Sequence, residues 1–314
     1  MKVFRSLEEY QAGGHTVATI GTFDGVHIGH RTILERLKDA ARKREGESVL
    51  ISFHPHPRLV LFPENNPLKL LQSLDEKIAL LDEFGLDKLL LIPFTKEFSR
   101  IPSHRFIREV LVETLEIDHI IIGYDHRFGK NRTGGLEELE TYAEDWGYTV
   151  EEIPAQSIDE AKVSSTKIRK ALQEGDVQTA EKYLGYPYSF AGKVIHGEKM
   201  GRKLGYPTAN LEPSDPLKVI PGIGVYLVKV QVDERWFYGM MSIGVKPTMG
   251  EFAQTQEVFL FDFDEDIYGE EIRVHFLEYL RGEKKFKSLT ELIVAMDADR
   301  DYSLKRIAEL GPLS

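Results

Sequence analysis

The texture of this chain changes once, at Gly185-Tyr186-Pro187, and the two sides of that link follow different folding rules. On the N-terminal side, the apolar runs VATI (17–20), SVLISF (48–53), KLLLI (88–92), HIII (119–122) and YTVEEI (148–153) alternate with amphipathic stretches. Strands that are apolar at successive positions are buried on both faces, as in a parallel sheet covered by its crossover helices. Ile28 to Arg44 fits such a helix, and so does Leu74 to Phe84, where Ser73 and Glu76 have the spacing of a capping box. Right-handed βαβ units and a parallel, doubly wound, Rossmann-like α/β sheet follow. A helical stretch, Ser164 to Leu184, leads to the link. Beyond it SFAGKVIHG, VYLVKVQV, RWFYGMMSI, QEVFLFDF and IRVHFLEYL lie close together, broken by Gly, Pro and Asp. Such spacing predicts an antiparallel sandwich or closed β-barrel, with Val225 to Val232 and Trp236 to Ile243 as its clearest hairpin. Leu289 to Leu310 reads as a terminal helix or helix pair on that barrel. The expected domains are therefore 1–186 and 187–314.

Composition narrows the function classes. A length of 314 residues suffices for two ordinary cores, and 42% hydrophobic with 29% charged residues is typical of globular proteins. The net charge of −11 argues against a nucleic-acid or anionic-membrane partner, because both require a basic face. With no cysteine, there is no disulfide framework, thiolate metal site or cysteine nucleophile. No apolar run approaches the ~18 residues of a membrane span, and the start, MKVFRSLEEYQ, lacks a signal-like apolar core, so a cytoplasmic location is expected.

Two short stretches carry the chemistry. GTFDGVHIGH (21–30) follows the first predicted strand at the carboxyl edge of the sheet, where ligands bind in such folds. His27 and His30, at i and i+3, are expected on one face of the first helical turn, where free N–H groups and the helix dipole favour an anion. From there they can donate hydrogen bonds to an α-phosphate as charge builds during in-line displacement. Gly21 and Gly25 are expected to permit a tight turn, with Phe23 and Asp24 between them, and Gly29 to admit a nucleotide close to the helix. Later, Ser164, Ser165 and Thr166 open a helix that also carries Lys167 and Arg169, a second place for phosphate oxygens. Asp125, in GYDHRFG (123–129), follows the fourth strand and can bond to a base or ribose.

The second stretch, GRKLGYPTANL (201–211), lies in the β-rich half. Thr208 and Asn210 offer hard oxygen ligands at i and i+2, suited to Mg²⁺ and ATP phosphates. Gly197, Gly201 and Gly205, with Lys203 and Pro207 among them, suit a flap whose N–H groups cradle phosphate. The acidic run Asp262, Asp264, Glu265, Asp266 lacks the glycine and glutamate offsets of an EF-hand and reads as a solvated loop.

GTFDGVHIGH, GYDHRFGKNRTGG and SSTKIR, in that order, resemble the HIGH-type nucleotidyltransferase domain of bacterial bifunctional riboflavin kinase/FAD synthetases. PTAN (207–210), SIGVKPT (242–248), EVFLFDF (257–263) and RGEKKF (281–286) resemble the riboflavin kinase domain of the same family. The resemblance implies two MgATP-consuming reactions: phosphorylation of riboflavin to FMN by the barrel, and transfer of AMP to FMN by the N-terminal domain, giving FAD and pyrophosphate. It implies that His27 and His30 bind the ATP phosphates, that Ser164, Ser165, Thr166 and Arg169 form a second clamp, and that Asp125 lies near the nucleotide. It also implies that Glu257 is the general base on the ribityl 5′-hydroxyl. His126 and Lys246 depart from the family pattern, which often has an aromatic at the first position and Asn at the second. Two other readings stand beside this: a flavin-binding protein with decayed sites, disfavoured by the intact His27, His30, Thr208, Asn210 and Glu257, and a transferase with another acceptor, disfavoured by the kinase-like half. The sequence specifies no oligomeric state.

Overall fold

The computed structural model describes residues 1–64, 68–124, 126–154, 163–197, 201, 205–248 and 251–311, with backbone alone for 246–248 and 251–253. Two compact units divide the chain, Met1–Ser165 and Thr166–Ser314.

The first unit holds a six-stranded parallel sheet. Its strands are β1 (Lys2–Phe4), β2 (Thr16–Ile20), β3 (Glu47–His54), β4 (Lys88–Pro93), β5 (Ile117–Gly123) and β6 (Thr149–Ile153), in the order β1-β4-β3-β2-β5-β6. Successive residues feed opposite cores. Ala18, Val49, Ile51, Leu90 and Ile92 join one buried cluster, while Val17, Leu50, Leu89 and Leu91 join the other. That division is why the strands read as unbroken apolar runs. The second cluster includes Leu34 and Leu37 of the helix Ile28–Lys43 and Leu81 of the helix Leu74–Phe84. The Ser73 and Glu76 capping box forms in both directions, and that helix ends on Gly85 at φ 80°.

In the second unit, β7 (Ser189–Ile195), β8 (Thr208–Pro213), β9 (Gly224–Val232), β10 (Arg235–Thr248), β11 (Glu251–Leu260) and β12 (Glu271–Arg281) close into an antiparallel barrel, ordered β10-β11-β8-β7-β12-β9. The expected hairpin is β9 with β10, Val232 opposite Arg235, and its turn is tightened by Asp233 at φ 51°. One continuous helix, Leu289–Leu310, follows. Its Met296 and Ile307 pack against Tyr206, Met240 and Phe261, and its Asp299 holds Arg281 of β12 at 2.8 Å. The predicted helix Ser164 to Leu184 is instead two, Ser165–Gln173 and Val177–Leu184. Gly175 (φ 82°) breaks the run, and Asp176 caps the second helix through the Thr179 N–H.

Candidate active sites: a clamped turn and a strand pair

Strand order reverses around β2, with β3 and β4 on one side and β5 and β6 on the other, so the turn after β2 opens at the switch point where doubly wound sheets take ligands. Its backbone is strained. Phe23 (φ 47°), Gly25 (φ 91°) and Val26 (φ 34°) all occupy left-handed space, which a β-branched valine enters only when its surroundings enforce it. Four hydrogen bonds do so. Lys77 Nζ donates to Thr22 O (2.7 Å), Leu71 N–H to Asp24 Oδ1 (3.0 Å), Gly25 N–H to Gln72 Oε1 (3.2 Å), and Ser165 Oγ to Asp24 O (2.8 Å). Gly25 is thus the conformationally required glycine. Gly21 serves a different need from the tight turn expected of it: a Cβ there would lie 2.7 Å from the Phe23 ring. Gly29 is buried in the first helical turn.

The two histidines share this helix start, but not as two helical residues. His27 is the N-cap, and its Nδ1 accepts the His30 N–H at 3.3 Å. A backbone N–H only donates, so this contact leaves the proton of a neutral His27 on Nε2. The rings of His27 and His30 stack at 3.6 Å and 14°, with Phe23 tilted against His30 at 4.7 Å. Desolvation, reinforced by His27 and Lys77, holds the pKa of His30 well below the ordinary imidazole value. His30 therefore meets an anion as a neutral imidazole, beside His27 at a helix N-terminus.

Ser164 precedes, and Ser165 opens, the next part of the predicted site. Ser165 braces the turn through Asp24 O. Thr166, exposed, and Arg169, half-buried, belong to the second compact unit. Asp125 and Lys203 lie outside the described residues, and so does the side chain of Lys246. Beside position 125, His126 and Phe128 stack at 5.9 Å and 25°.

The sequence reading missed an aromatic cluster that continues from Phe128. Phe106 lies 5.5 Å from Phe128, Phe98 lies 6.2 Å from Phe106, and Phe53 and Phe94 close on Phe98 at 6.0 and 5.8 Å. Phe53 is the penultimate residue of β3 and Phe94 follows β4, so their place at the carboxyl edge was the available signal.

On the barrel, β8 and β11 run side by side with Asn210 opposite Glu257 and Thr208 opposite Phe259. Thr208, Asn210 and Glu257 consequently share one face, and Thr208 Oγ1 donates to Glu257 Oε2 at 3.2 Å. The glycines before β8 are sterically required. A Cβ on Gly197 would fall 2.1 Å from Asn210 Nδ2, one on Gly201 would fall 2.3 Å from Tyr206 O, and Gly205 sits at φ 81°. A cavity of about 280 Å³ opens beside Pro207 and Thr208, walled by Val258, Leu260 and the segment Phe263 to Tyr268. The acidic run is an exposed loop, as expected; three of its members, Asp264, Glu265 and Asp266, also edge the cavity, and Glu265 pairs with Arg235 at 2.7 Å. Among the described residues no three His, Asp or Glu side chains gather as a metal cage. Thr208 and Asn210 oxygens beside one carboxylate fit a hard cation that keeps its waters and shares phosphate oxygens.

A family model described as FAD synthetase matches residues 10–167, and one described as riboflavin kinase matches 184–307. Curated bifunctional riboflavin kinase/FMN adenylyltransferases align along most of the chain. That of Pseudomonas fluorescens is 38% identical, covering 90% of each chain; that of Listeria monocytogenes is 35% identical, covering 94% of this chain and 93% of its own. The Escherichia coli K12 enzyme is 37% identical, covering 93% of both. A solved structure from Streptococcus pneumoniae, described as a macrolide-efflux protein, superposes with a TM-score of 0.87 at 30% identity, over 96% of this chain and 98% of that one. No helix among the described residues here is long and apolar enough to cross a membrane. Two domain matches in one reading order, and relatives above a third identical across nine-tenths of the chain, lead to one assignment: this chain belongs to the bifunctional riboflavin kinase/FMN adenylyltransferase family.

Proposed function

We propose that the chain makes FAD from riboflavin in two ATP-dependent steps, the barrel forming FMN and the N-terminal sheet domain adenylylating it, with the division of labour at 186/187. The observation that carries this reading is the placing of Thr208, Asn210 and Glu257 on one face of adjacent strands. A primary alcohol attacking a γ-phosphate needs a carboxylate to take its proton and neutral oxygens to hold the nucleotide's cation. Glu257 takes the 5′-hydroxyl proton of riboflavin as the new P–O bond forms, the β,γ-bridging bond breaks and ADP leaves. Thr208 and Asn210 would hold Mg²⁺, which when bound offsets the charge of the β- and γ-phosphates. Gly197, Gly201 and Gly205, with Lys203 and Pro207, are read as the flap over the phosphates.

In the N-terminal domain, a phosphate oxygen of FMN attacks the α-phosphorus of ATP and pyrophosphate departs. His27 donates from Nε2, and His30 beside it, to the α-phosphate, where negative charge grows as the bond is made. Gly21, Phe23, Asp24, Gly25 and Gly29 shape the loop that receives the nucleotide, Asp125 lies near the base or ribose, and Ser164, Ser165, Thr166 and Arg169 receive the leaving pyrophosphate. The partly exposed rings of Phe53, Phe94 and Phe98 offer a face for the isoalloxazine of FMN. A cytoplasmic location goes with this reading, because both steps draw on ATP.

Chromatography of the flavins formed from riboflavin, ATP and Mg²⁺, with a parallel reaction started from FMN, tests it. FMN followed by FAD is expected. FAD from added FMN alone would remove the kinase assignment, and no product from either substrate would overturn the reading.

A further inference from the structure

Two buried lysines of the first unit, Lys77 and Lys88, have different partners. Lys88, equally buried, is neutralised by Glu47 at 2.5 Å. Lys77 is 8% exposed, yet its ammonium hydrogen-bonds to neutral oxygens, Thr22 O at 2.7 Å and Ser52 Oγ at 3.5 Å. The nearby carboxylate, Asp24, spends Oδ1 on the Leu71 N–H. An ammonium buried without an ion pair is costly, and a fold keeps one where an anion arrives from outside or where its bonds hold something in place. Here both conditions meet. The bond to Thr22 O closes the clamp on the strained turn, whose next residues are Phe23 at φ 47°, then Asp24, Gly25 and Val26 at φ 34°. The stacked rings of His27 and His30 follow that turn, and His30 feels the Lys77 charge.

We propose that Lys77 is a positioning residue of the adenylyl-transfer site, holding the 22–26 turn through Thr22 and supplying the buried positive charge toward which the ATP phosphates are drawn. The proposal rests on the reading of this turn as the ATP site. It explains a division of tasks in which the charge is held at Thr22 and the imidazoles of the helix start act as hydrogen-bond donors. Burial lowers the ammonium pKa to about 8, opposed by Asp24, so the group remains mostly charged at neutral pH. Its charge in turn helps keep His30 unprotonated. The other charged or titratable groups around the pair are Asp24, His27 and Arg31, whose Nε donates to Val26 O at 3.4 Å.

The test compares the full chain with Lys77→Met and Lys77→Arg, measuring FMN adenylylation against ATP from pH 5.5 to 8.5, with riboflavin phosphorylation in the same preparations as internal control. For Lys77→Met, kcat/KM for ATP in adenylylation is expected to fall at least about ten-fold, the scale of one lost charge in a partly screened site, mostly through KM. The acid limb of its pH profile is expected to move to higher pH, because His30 protonates more readily without the ammonium. Lys77→Arg should recover most of the ATP affinity, and phosphorylation of riboflavin should be unchanged throughout. A uniform loss at every pH, with KM unmoved, would make Lys77 merely structural and overturn the proposal, as would an unaffected Lys77→Met. If the wild-type chain makes no FAD from FMN, the reading of the site fails instead. Should Lys77→Met fail to fold, the wild-type protein decides. The Nζ resonance of Lys77 in ¹⁵N-lysine-labelled protein is expected to titrate at higher pH when α,β-methylene-ATP and Mg²⁺ are added, and an unmoved titration overturns the proposal.

Discussion

The two candidate sites, both proposed to take ATP, have opposite architectures. The N-terminal site is one loop of six residues in which three backbones sit in left-handed space, held by hydrogen bonds from Leu71, Lys77 and Ser165 and to Gln72. The barrel site is built on regular strands, where alternation along β8 puts Thr208 and Asn210 beside Glu257 without backbone strain, and only the preceding glycines are special. The difference follows from what each site must present. A loop at a sheet's switch point offers backbone N–H groups and a helix dipole, so its geometry has to be enforced by tertiary hydrogen bonds. A strand pair offers side chains whose spacing the pleat already sets. The first site should therefore be sensitive to distant supports as well as to its own side chains, and the second chiefly to its own side chains.

The largest expected effect separates the two chemistries. Replacing His27 and His30 together with Ala is expected to lower FAD formation from FMN by at least about 10²- to 10³-fold, the scale of one lost transition-state donor, while FMN still accumulates from riboflavin. Loss of both activities would mean that the sites are not independent. Glu257→Gln should do the reverse, lowering riboflavin phosphorylation by about 10²- to 10⁴-fold as a general base is lost, with FMN adenylylation intact. Native phosphorylation by that variant would remove Glu257 as the base. Gly197→Ala is the milder probe of the strand site. Its new Cβ would sit 2.1 Å from Asn210 Nδ2, and the amide must swing away from the face it shares with Thr208. Kinase kcat/KM for MgATP is expected to fall about ten-fold, as for a small misplacement of a positioning group. An unaltered value would show that Asn210 does not hold the nucleotide's cation.

The contrast between the sites also explains what could be read in advance. Parallel sheet, barrel, terminal helix and capping box were legible, because periodicity and spacing carry them. β1 was not, since a three-residue edge strand has too few positions for a pattern. The break at Gly175 was signalled by Glu174-Gly175-Asp176 inside a helical stretch, yet helical periodicity resumes at once and hides it. At the barrel site Thr208, Asn210 and Glu257 come together as the motif spacing requires. At the turn, the spacing put His27 and His30 at the helix start, where both lie, but did not show that one caps the other's turn, which depends on a single extended dihedral, ψ 170°. Lys77 was invisible. In the sequence it is a lysine on an ordinary helix, and only the packing of that helix under Thr22 buries it. The phenylalanine cluster drew on residues from 53 to 128, a separation that no local window spans.

The smallest effect asks whether the neutrality of His30 is a feature of the fold. Its folded pKa is depressed, chiefly by desolvation and then by His27 and Lys77, so the unfolded chain binds this proton more readily. Above the unfolded value near pH 6.5 the imidazole is neutral in both states, and stability is unaffected by its titration. As pH falls below that value, the unfolded state takes up a proton that the folded state refuses, so the stability contributed by neutral His30 drains away until the folded pKa is reached. His30→Gln removes this linkage. The melting temperature of the N-terminal transition in wild-type protein should therefore fall more steeply between about pH 6.5 and 5 than that of the variant, whatever their difference at pH 8. His119, also depressed by burial, titrates in both proteins and cancels in the comparison of slopes. Parallel slopes would mean that His30 protonates as freely in the fold as outside it. The clamped turn would then have to admit a charged imidazole, and the division of tasks between Lys77 and the histidine pair would lose its basis.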